Sequence, residues 1–414
     1  MGIDADRLWN DIEALSRITE PDRPWTRRSF TPRFLEGRAY LERAFRAAGL
    51  ATRIDAGGNL IGRREGTERA ASPILIGSHS DTVPSGGRYD GVLGVTAALE
   101  TARAFAEAGV ALRHPLEVCD FLAEEPSEFG LSCVGSRALA GELTPDMLAM
   151  TRPDGMTLRE GLRYVGGDPD ALAAAARGEN SIAAFVEVHI EQGRVLESEG
   201  IALAAVTDIV GIARWRVTVS GRTDHAGATP MVYRCDALVG AAALIRRAWE
   251  MANAAAGDAR PLVATFGQIA ITPNAANAVP GEAALTLEAR CGDEARMAGF
   301  CDALLAACAD ELAALRVSAR AEKISHAAPT PCAAEARAAI HAAAGDLGLS
   351  IRDLPSGAGH DAVWISRLGP VGMIFTPCRE GRSHAPEESM TRQEAYDGAR
   401  ALARTVRRLD AALA

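Results

Sequence analysis

The run LIGSHSDTVPSGGRYDGVLGV, residues 75–95, sets His79, Asp81, Asp90 and five glycines directly after an apolar stretch. Imidazole and carboxylate groups suit zinc or a similar divalent ion, and three more short polar segments supply the same chemistry. Glu124 and Glu125 close LEVCDFLAEE, His189 lies in EVHIEQG, and His384 lies in GRSHAPEE. A carboxylate can bridge two ions through its two oxygens; an imidazole cannot. With Asp90 bridging, the five ligands His79, Asp90, Glu125, His189 and His384 give each of two ions three protein contacts. Two ions about 3.5–4 Å apart acidify a shared water and hold a substrate carbonyl. Asp81 is placed to accept a hydrogen bond from the other nitrogen of His79. Glu124 and Glu125 face opposite ways if the strand continues through them. One of the pair is therefore expected to ligate and the other to stay free as a general base.

Taken singly, a loop histidine is more often a satisfied polar residue, and a Glu-Glu pair more often a solvated acidic loop. The argument comes from the set. His114, His326 and His341 have no acidic or glycine-rich neighbourhood and are expected to be structural, whereas His225 and His360 share the loop setting of the ligand histidines.

These residues need strands to carry them. SPILIGSH (72–79), HPLEVCDFLAEE (114–125) and SIAAFVEVHIEQG (181–193) read as buried strands, with the reactive residues at their C-terminal ends, where open α/β sheets bind ligands. GVLGVTAALETARAFAEAG reads as a helix with Asp90 at its N-terminus. From Gly211 the pattern changes to β-α-β-β-α-β, the ferredoxin-like signature, and after Pro329 the α/β alternation resumes. The 414 residues exceed the size at which one core stops growing. Two domains are expected: an α/β catalytic domain over 1–210 plus 329–414, and an inserted ferredoxin-like α+β domain over 211–328.

The composition is globular, 48% hydrophobic and 24% charged, and the net charge of -10 argues against nucleic acid or an anionic membrane as partner. No apolar run approaches the roughly 20 residues that span a bilayer. The opening MGIDADRLWNDIEALSRITE is acidic and amphipathic, unlike a signal peptide, which points to the cytoplasm. A lone lysine, Lys323, argues against Schiff-base chemistry. The eight cysteines include no Cys-x-x-Cys pair and read as buried free thiols.

The chain resembles the amidases of the hydantoinase/carbamoylase type, a branch of the di-zinc aminoacylase and carboxypeptidase superfamily. The likeness runs through GSHSDTVPSGGRYDGVLGV, EEPSEFG, CVGSRALAG, EVHIEQGRVLE, GRTDHAGATPM, PNAANAVPG, LEAR, LPSGAGHDA and GRSHAPEE. The resemblance implies a di-zinc exopeptidase-like fold whose inserted domain is a dimerisation lid, giving a homodimer through residues 211–328. It implies His79 and His189 on one ion, Glu125 and His384 on the other, Asp90 between them, and Glu124 as general base. The ions are zinc first, with manganese or cobalt as alternatives. His225 is implied to polarise the substrate carbonyl, and Arg290 and Asn277 to clamp a carboxylate with the planar fork of the guanidinium. Gln192 and the backbone from Gly357 to His360 complete the pocket. Where the family commonly reads Glu-Glu-Gly-Ser-Arg-Phe, this chain has EEPSEF. Pro126 and Glu128 leave the ligands untouched and bear on the substrate.

The expected function is metal-dependent hydrolysis of the C–N bond of N-carbamoyl-L-amino acids to the amino acid, carbon dioxide and ammonia. Allantoate or a related ureido acid is the nearest alternative, and an N-acyl amino acid the next. A non-catalytic binding protein on the same scaffold would have no reason to keep Glu124 beside five intact ligands.

Overall fold

The apolar runs that end in histidine or acidic residues become central strands buried at every residue. Residues 2–68, 70–258 and 260–413 are described by the computed structural model, in which the chain forms two units. The first comprises Met1–Thr207, Cys332–Leu354 and Ala358–Ala414; the second comprises Asp208–Pro331 with Pro355–Gly357. After helices Ala5–Arg17 and Pro32–Ala47, the strands begin with β1 (Ala51–Ile54), β2 (Leu60–Arg64), β3 (Ile74–His79), β4 (Leu116–Phe121), β5 (Ala184–Ile190) and β6 (Leu203–Ile209). Next come β7 (Gly211–Ser220), β8 (Asp224–His225), β9 (Val263–Thr272), β10 (Ala278–Val279), β11 (Glu282–Cys291), β12 (Ser318–Ala327) and β13 (Thr330–Pro331). The last strands are β14 (Ile351–Ser356) and β15 (Val371–Thr376), and helix Arg392–Ala412 follows them.

In the first unit the order is β1-β2-β4-β3-β5-β15-β6, with β14 also pairing β6. β3 runs parallel to β4 and β5, and β5 parallel to β15. These four strands expose no residue, as expected for parallel strands covered on both faces. Helices Ala5–Arg17, Val92–Glu107, Ala334–Leu347 and Arg392–Ala412 share one apolar core with Ile74, Ile76, Val186, Val188 and Ile374. A second cluster gathers Phe30, Phe34, Leu122, Val134, Leu158 and Leu162. It is built largely from short helices and turns over 122–172, where the sequence has no sustained period to read.

The second unit has an antiparallel sheet in the order β12-β7-β11-β9. Helices Ala237–Ala254 and Glu294–Ala307 bury Leu244, Phe300 and Leu304 against Trp215, Val217, Leu285 and Leu287. The chain order β-α-β-β-α-β is the one the alternation of periods predicts. The unit runs slightly past 211–328 at both ends, because Asp208 and Ile209 pair with Pro331 and Thr330, and it also takes in Pro355–Gly357.

One buried ion pair ties the sheet to the loop after β3. The Arg38 guanidinium lies 2.7 Å from Asp120 at the end of β4 and donates to the Gly58 carbonyl at 2.7 Å. Ser80, next to His79, donates to the same Asp120 carboxylate at 3.0 Å. Removing one partner leaves a buried charge uncompensated. Arg38→Ala is therefore expected to lower the unfolding free energy by about 3–5 kcal/mol, read from the urea midpoint of the purified protein.

Candidate metal centre

Every residue of the expected cluster sits past the C-terminal end of a central strand or at its last turn. His79 is the last residue of β3, and His189 is the next-to-last of β5. β4 ends at Phe121, so Glu124 and Glu125 lie in a loop and are freed from strand alternation. Ala123, with φ +51°, turns the chain just before them. Asp90 directly precedes Gly91, the N-cap of helix Val92–Glu107. Gly91 has φ +66°, and a Cβ there would come within 2.4 Å of the His79 ring, so no side chain fits between the helix start and that imidazole.

The two oxygens of Asp90 face two separate groups. Oδ1 lies 3.4 Å from His79 Nε2 and 3.2 Å from His189 Nε2. Oδ2 lies 3.3 Å from His384 Nε2, which is 3.0 Å from Glu125 Oε1. His79, Asp90 and His189 thus form one set able to hold an ion, and Asp90, Glu125 and His384 another. Glu124 is outside both, with Oε2 3.6 Å from His79 Nε2.

Whether a cation fits is decided by the nitrogens. His79 Nδ1 donates to the Asp81 carbonyl at 3.0 Å, and His189 Nδ1 to the Ile190 carbonyl at 2.8 Å. One proton of each ring is thereby used away from Asp90, and Nε2 is turned toward it. His189 Nε2 accepts from Gly91 N–H at 3.3 Å, and buried His79 Nε2 has no hydrogen-bond partner. Both Nε2 atoms thus face one carboxylate oxygen. Burial opposes protonation, but the neighbouring carboxylates hold both rings above the usual histidine value, so positive charge is favoured at the place a divalent cation would occupy. Two ligands each about 2.0–2.1 Å from a tetrahedral ion stand about 3.3–3.4 Å apart, close to the separations at Asp90. A third set, Glu187, His189 and His360, is fully buried. With Nδ1 of His189 committed, it draws on the same Nε2 as the first set.

Burial dominates the electrostatics. It holds the Glu124 carboxyl well above the usual range, with Glu125, Asp361 and Asp90 pushing the same way and His79 opposing. Asp90 goes the other way: burial raises it, but His189, His384 and His79 outweigh that and keep it well below the usual value. His384 is pushed up to about 10 by Asp90 and Glu125. Unlike the other four residues of the two sets, it is open to solvent, its side chain 47% exposed against 7% for Asp90 and Glu125.

The expected supporting residues lie in both units. Asp81 sits beside His79, but the group meeting Nδ1 is its backbone carbonyl; its carboxylate, 3.7 Å away, instead accepts from Glu124 N–H at 3.3 Å. The carbonyl is the nearer acceptor, and the imidazole has one proton to give. Gln192 donates its amide to Asp90 Oδ2 at 2.6 Å, a role within the cluster where a pocket-lining one was expected. His360 packs edge-on to His189 with ring centroids 4.7 Å apart.

The second unit carries His225, Asn277, Arg290 and Gly357. His225 and Asn277 are neighbours, because β8 pairs with β10 and Ala226 N–H donates to the Asn277 carbonyl at 2.9 Å. His225 Nδ1 accepts from both Gly227 and Ala228 N–H at 3.1 Å, which puts the ring proton on Nε2. Arg290 bonds Glu288 and the Gly357 carbonyl, each at 2.7 Å. His114, His326 and His341 are paired with Asp410, Glu294 and Asp353, in keeping with a structural role.

Several contributors escape a reading by residue type. Glu388 accepts from Tyr89 N–H at 2.7 Å and Asp90 N–H at 3.1 Å, and Ser383 lies within reach of both Glu388 and Asp90. Burial, with Asp90 adding to it, pushes Glu388 up to about 7. Asp361 accepts from Ser136 at 2.5 Å. The signals were present, an acidic residue four places after His384 and another directly after His360, but each is indistinguishable in sequence from an ordinary polar loop residue.

Known proteins resemble the chain over nearly its whole length. Residues 75–408 match the family described as Peptidase family M20/M25/M40. An N-carbamoyl-L-amino-acid amidohydrolase of Paenarthrobacter aurescens is 39% identical, the match covering 98% of each chain. A ureidoglycolate hydrolase of Arabidopsis thaliana is 34% identical over 99% of this chain and 87% of its own. The crystal structure of an amidase of the hydantoinase/carbamoylase family from Burkholderia multivorans superposes with a TM-score of 0.89 at 34% identity, covering 97% of both chains. The resemblance read from the motifs is borne out, and metal dependence is a property of this family. The chain belongs to peptidase family M20/M25/M40, in the company of its hydantoinase/carbamoylase-type amidases.

Proposed function

We propose that the protein is a metal-dependent amidohydrolase that cleaves N-carbamoyl-L-amino acids to the amino acid, carbon dioxide and ammonia. The observation that carries the reading is Asp90, whose two oxygens face two ligand sets while Glu124 stands beside them without joining either. His79, His189 and Asp90 hold one divalent ion, and Asp90, Glu125 and His384 a second, zinc in preference to manganese or cobalt. A pair of such ions, when bound, acidifies water and polarises a carbonyl. Glu124 takes the proton of the attacking water and passes it to the leaving nitrogen, a task that suits a carboxylate beside the ligand sets but outside both. His225 donates from Nε2 to the developing oxyanion, the tautomer its two backbone N–H partners impose. Arg290 and Asn277 bind the substrate carboxylate, with Arg290 exchanging a present partner for it.

The second unit leaves Met231, Val232, Tyr233 and Trp249 each more than 60% exposed, which supports a homodimer formed through this inserted domain. Among the described residues no helix is long and apolar enough to cross a membrane. The eight free cysteines fit a reducing compartment, the cytoplasm.

A panel of N-carbamoyl, N-formyl and N-acyl L-amino acids with allantoate and ureidoglycolate, assayed for released ammonia and amine, tests the substrate. The highest kcat/KM is expected for an N-carbamoyl-L-amino acid, and a preference for ureidoglycolate or allantoate would move the assignment to that neighbouring activity. Arg290→Ala is expected to raise KM for carboxylate-bearing substrates about tenfold to a hundredfold, the loss of one charge-assisted contact, with a smaller change in kcat.

The two glutamates separate by readout. Glu124→Gln is expected to keep its metal content by elemental analysis and lose a factor on the order of 10² or more in kcat. Glu125→Gln is expected to lose metal occupancy instead. Identical behaviour of the two variants would overturn the division of roles.

A further inference from the structure

One loop near the N-terminus touches three of the segments that carry the candidate ligands. Its root is buried. Arg27, 3% exposed, donates from Nε to the Ser80 carbonyl at 2.9 Å and from Nη1 to the carbonyls of Leu15 and Ile18. The backbone beside it pairs with the segment after His79: Arg27 N–H donates to Thr82 Oγ1 at 2.9 Å, Thr82 N–H to the Arg27 carbonyl at 3.1 Å, and Ser85 N–H to Thr26 Oγ1 at 2.8 Å.

Two arms leave this root for the other set of ligands. Trp25 donates its indole N–H to the Pro386 carbonyl at 3.1 Å, two residues past His384, and its ring lies 5.0 Å from the Arg88 guanidinium, two residues before Asp90. Arg28 pairs with Glu128 at 2.7 Å, three residues past Glu125, and Phe30 packs edge-on against Phe129 at 5.0 Å. The segments reached by the arms carry Asp90, Glu125 and His384, which together form one ligand set.

Those segments need holding. His384 is the most exposed of the five ligand residues, and its backbone has φ +55°, a conformation that costs a non-glycine residue of order 1–3 kcal/mol and persists only where the surroundings impose it. Trp25 is itself at φ +57°. Its indole hydrogen bond thus runs from a residue at one strained turn to the carbonyl two residues past the other.

We propose that Trp25 and Arg28 are positioning residues for the Asp90–Glu125–His384 ion site, acting as arms of a strap rooted at Arg27 that fixes the spacing of the loops carrying those ligands. The inference rests on the reading of that set as an ion site. Groups bonded directly to ligands typically contribute about 10- to 100-fold in metal affinity, and Trp25, which bonds two residues past His384, is expected at or below the lower end. The half-exposed Arg28–Glu128 pair contributes less, since exposed ion pairs are weak.

The test is calorimetric titration of zinc into metal-stripped protein, compared among wild type, Trp25→Phe and Glu128→Gln. Trp25→Phe removes the N–H and keeps a ring over Arg88. One of two binding steps is expected to weaken about tenfold in Trp25→Phe and at most about fivefold in Glu128→Gln, the other step staying within about twofold. The thermal midpoint of the stripped proteins should not change. Wild-type affinities at both steps in Trp25→Phe overturn the strap while leaving the ion sites intact. So does equal weakening of both steps with a lowered midpoint, which marks Trp25 as a general stability residue. A wild type that takes up no zinc overturns the ion sites, and the strap with them.

Discussion

A single buried carboxylate sets the geometry on which the rest of the first unit depends. Asp90 meets three imidazoles, an amide and a hydroxyl through two oxygens, and its own N–H is pinned by Glu388. No one element could supply this. β3, the end of β5 and the segment after β15 each bring one or two groups, so the parallel order β3-β5-β15 is what makes them neighbours. The helix that begins at Val92 then places its N-terminal dipole against the same negative charge.

Concentrating acidic groups in this way is costly. Asp81, Glu124, Glu187, Glu388 and Asp361 are all buried nearby and all held above the usual carboxylate range, burial being the largest cause in each. Several of them are given donors, Ser78 for Glu187, Ser136 for Asp361, and the Tyr89 and Asp90 amides for Glu388, while Asp81 Oδ2, Glu187 Oε2 and Asp361 Oδ2 are buried without a hydrogen-bond partner. Asp120 is instead matched to the buried Arg38. A divalent cation would add further positive charge at the centre of such a cluster.

The strands and the ligand candidates could be read from sequence because both leave local marks. A fully buried parallel strand is a short apolar run, and the residues that followed such runs were the ones that converged. The β-α-β-β-α-β order was visible in the same way, through alternating periods. What escaped was the support: Gln192 and Ser383 on Asp90, the carbonyl rather than the carboxylate of Asp81 on His79, and Glu388 behind Asp90. These contacts depend on the direction of a side chain at the end of a loop, often at positive φ as for Gln192 and His384, and direction is settled by tertiary packing. The segment 122–172 escaped for a different reason, since its helices are too short to establish a period.

Gly91 bears on how a protein of this design can change over time. A side chain at that position would need space already filled by the His79 ring, and the positive φ further penalises any replacement. The spacing between the helix start and the ligand histidine is therefore closed to gradual mutational drift. Novelty has to enter elsewhere, and the exposed position Pro126, together with the loops bearing His225 and Asn277, is free of that steric veto. Descendants of this chain could diversify what they accept while inheriting the same unaltered centre.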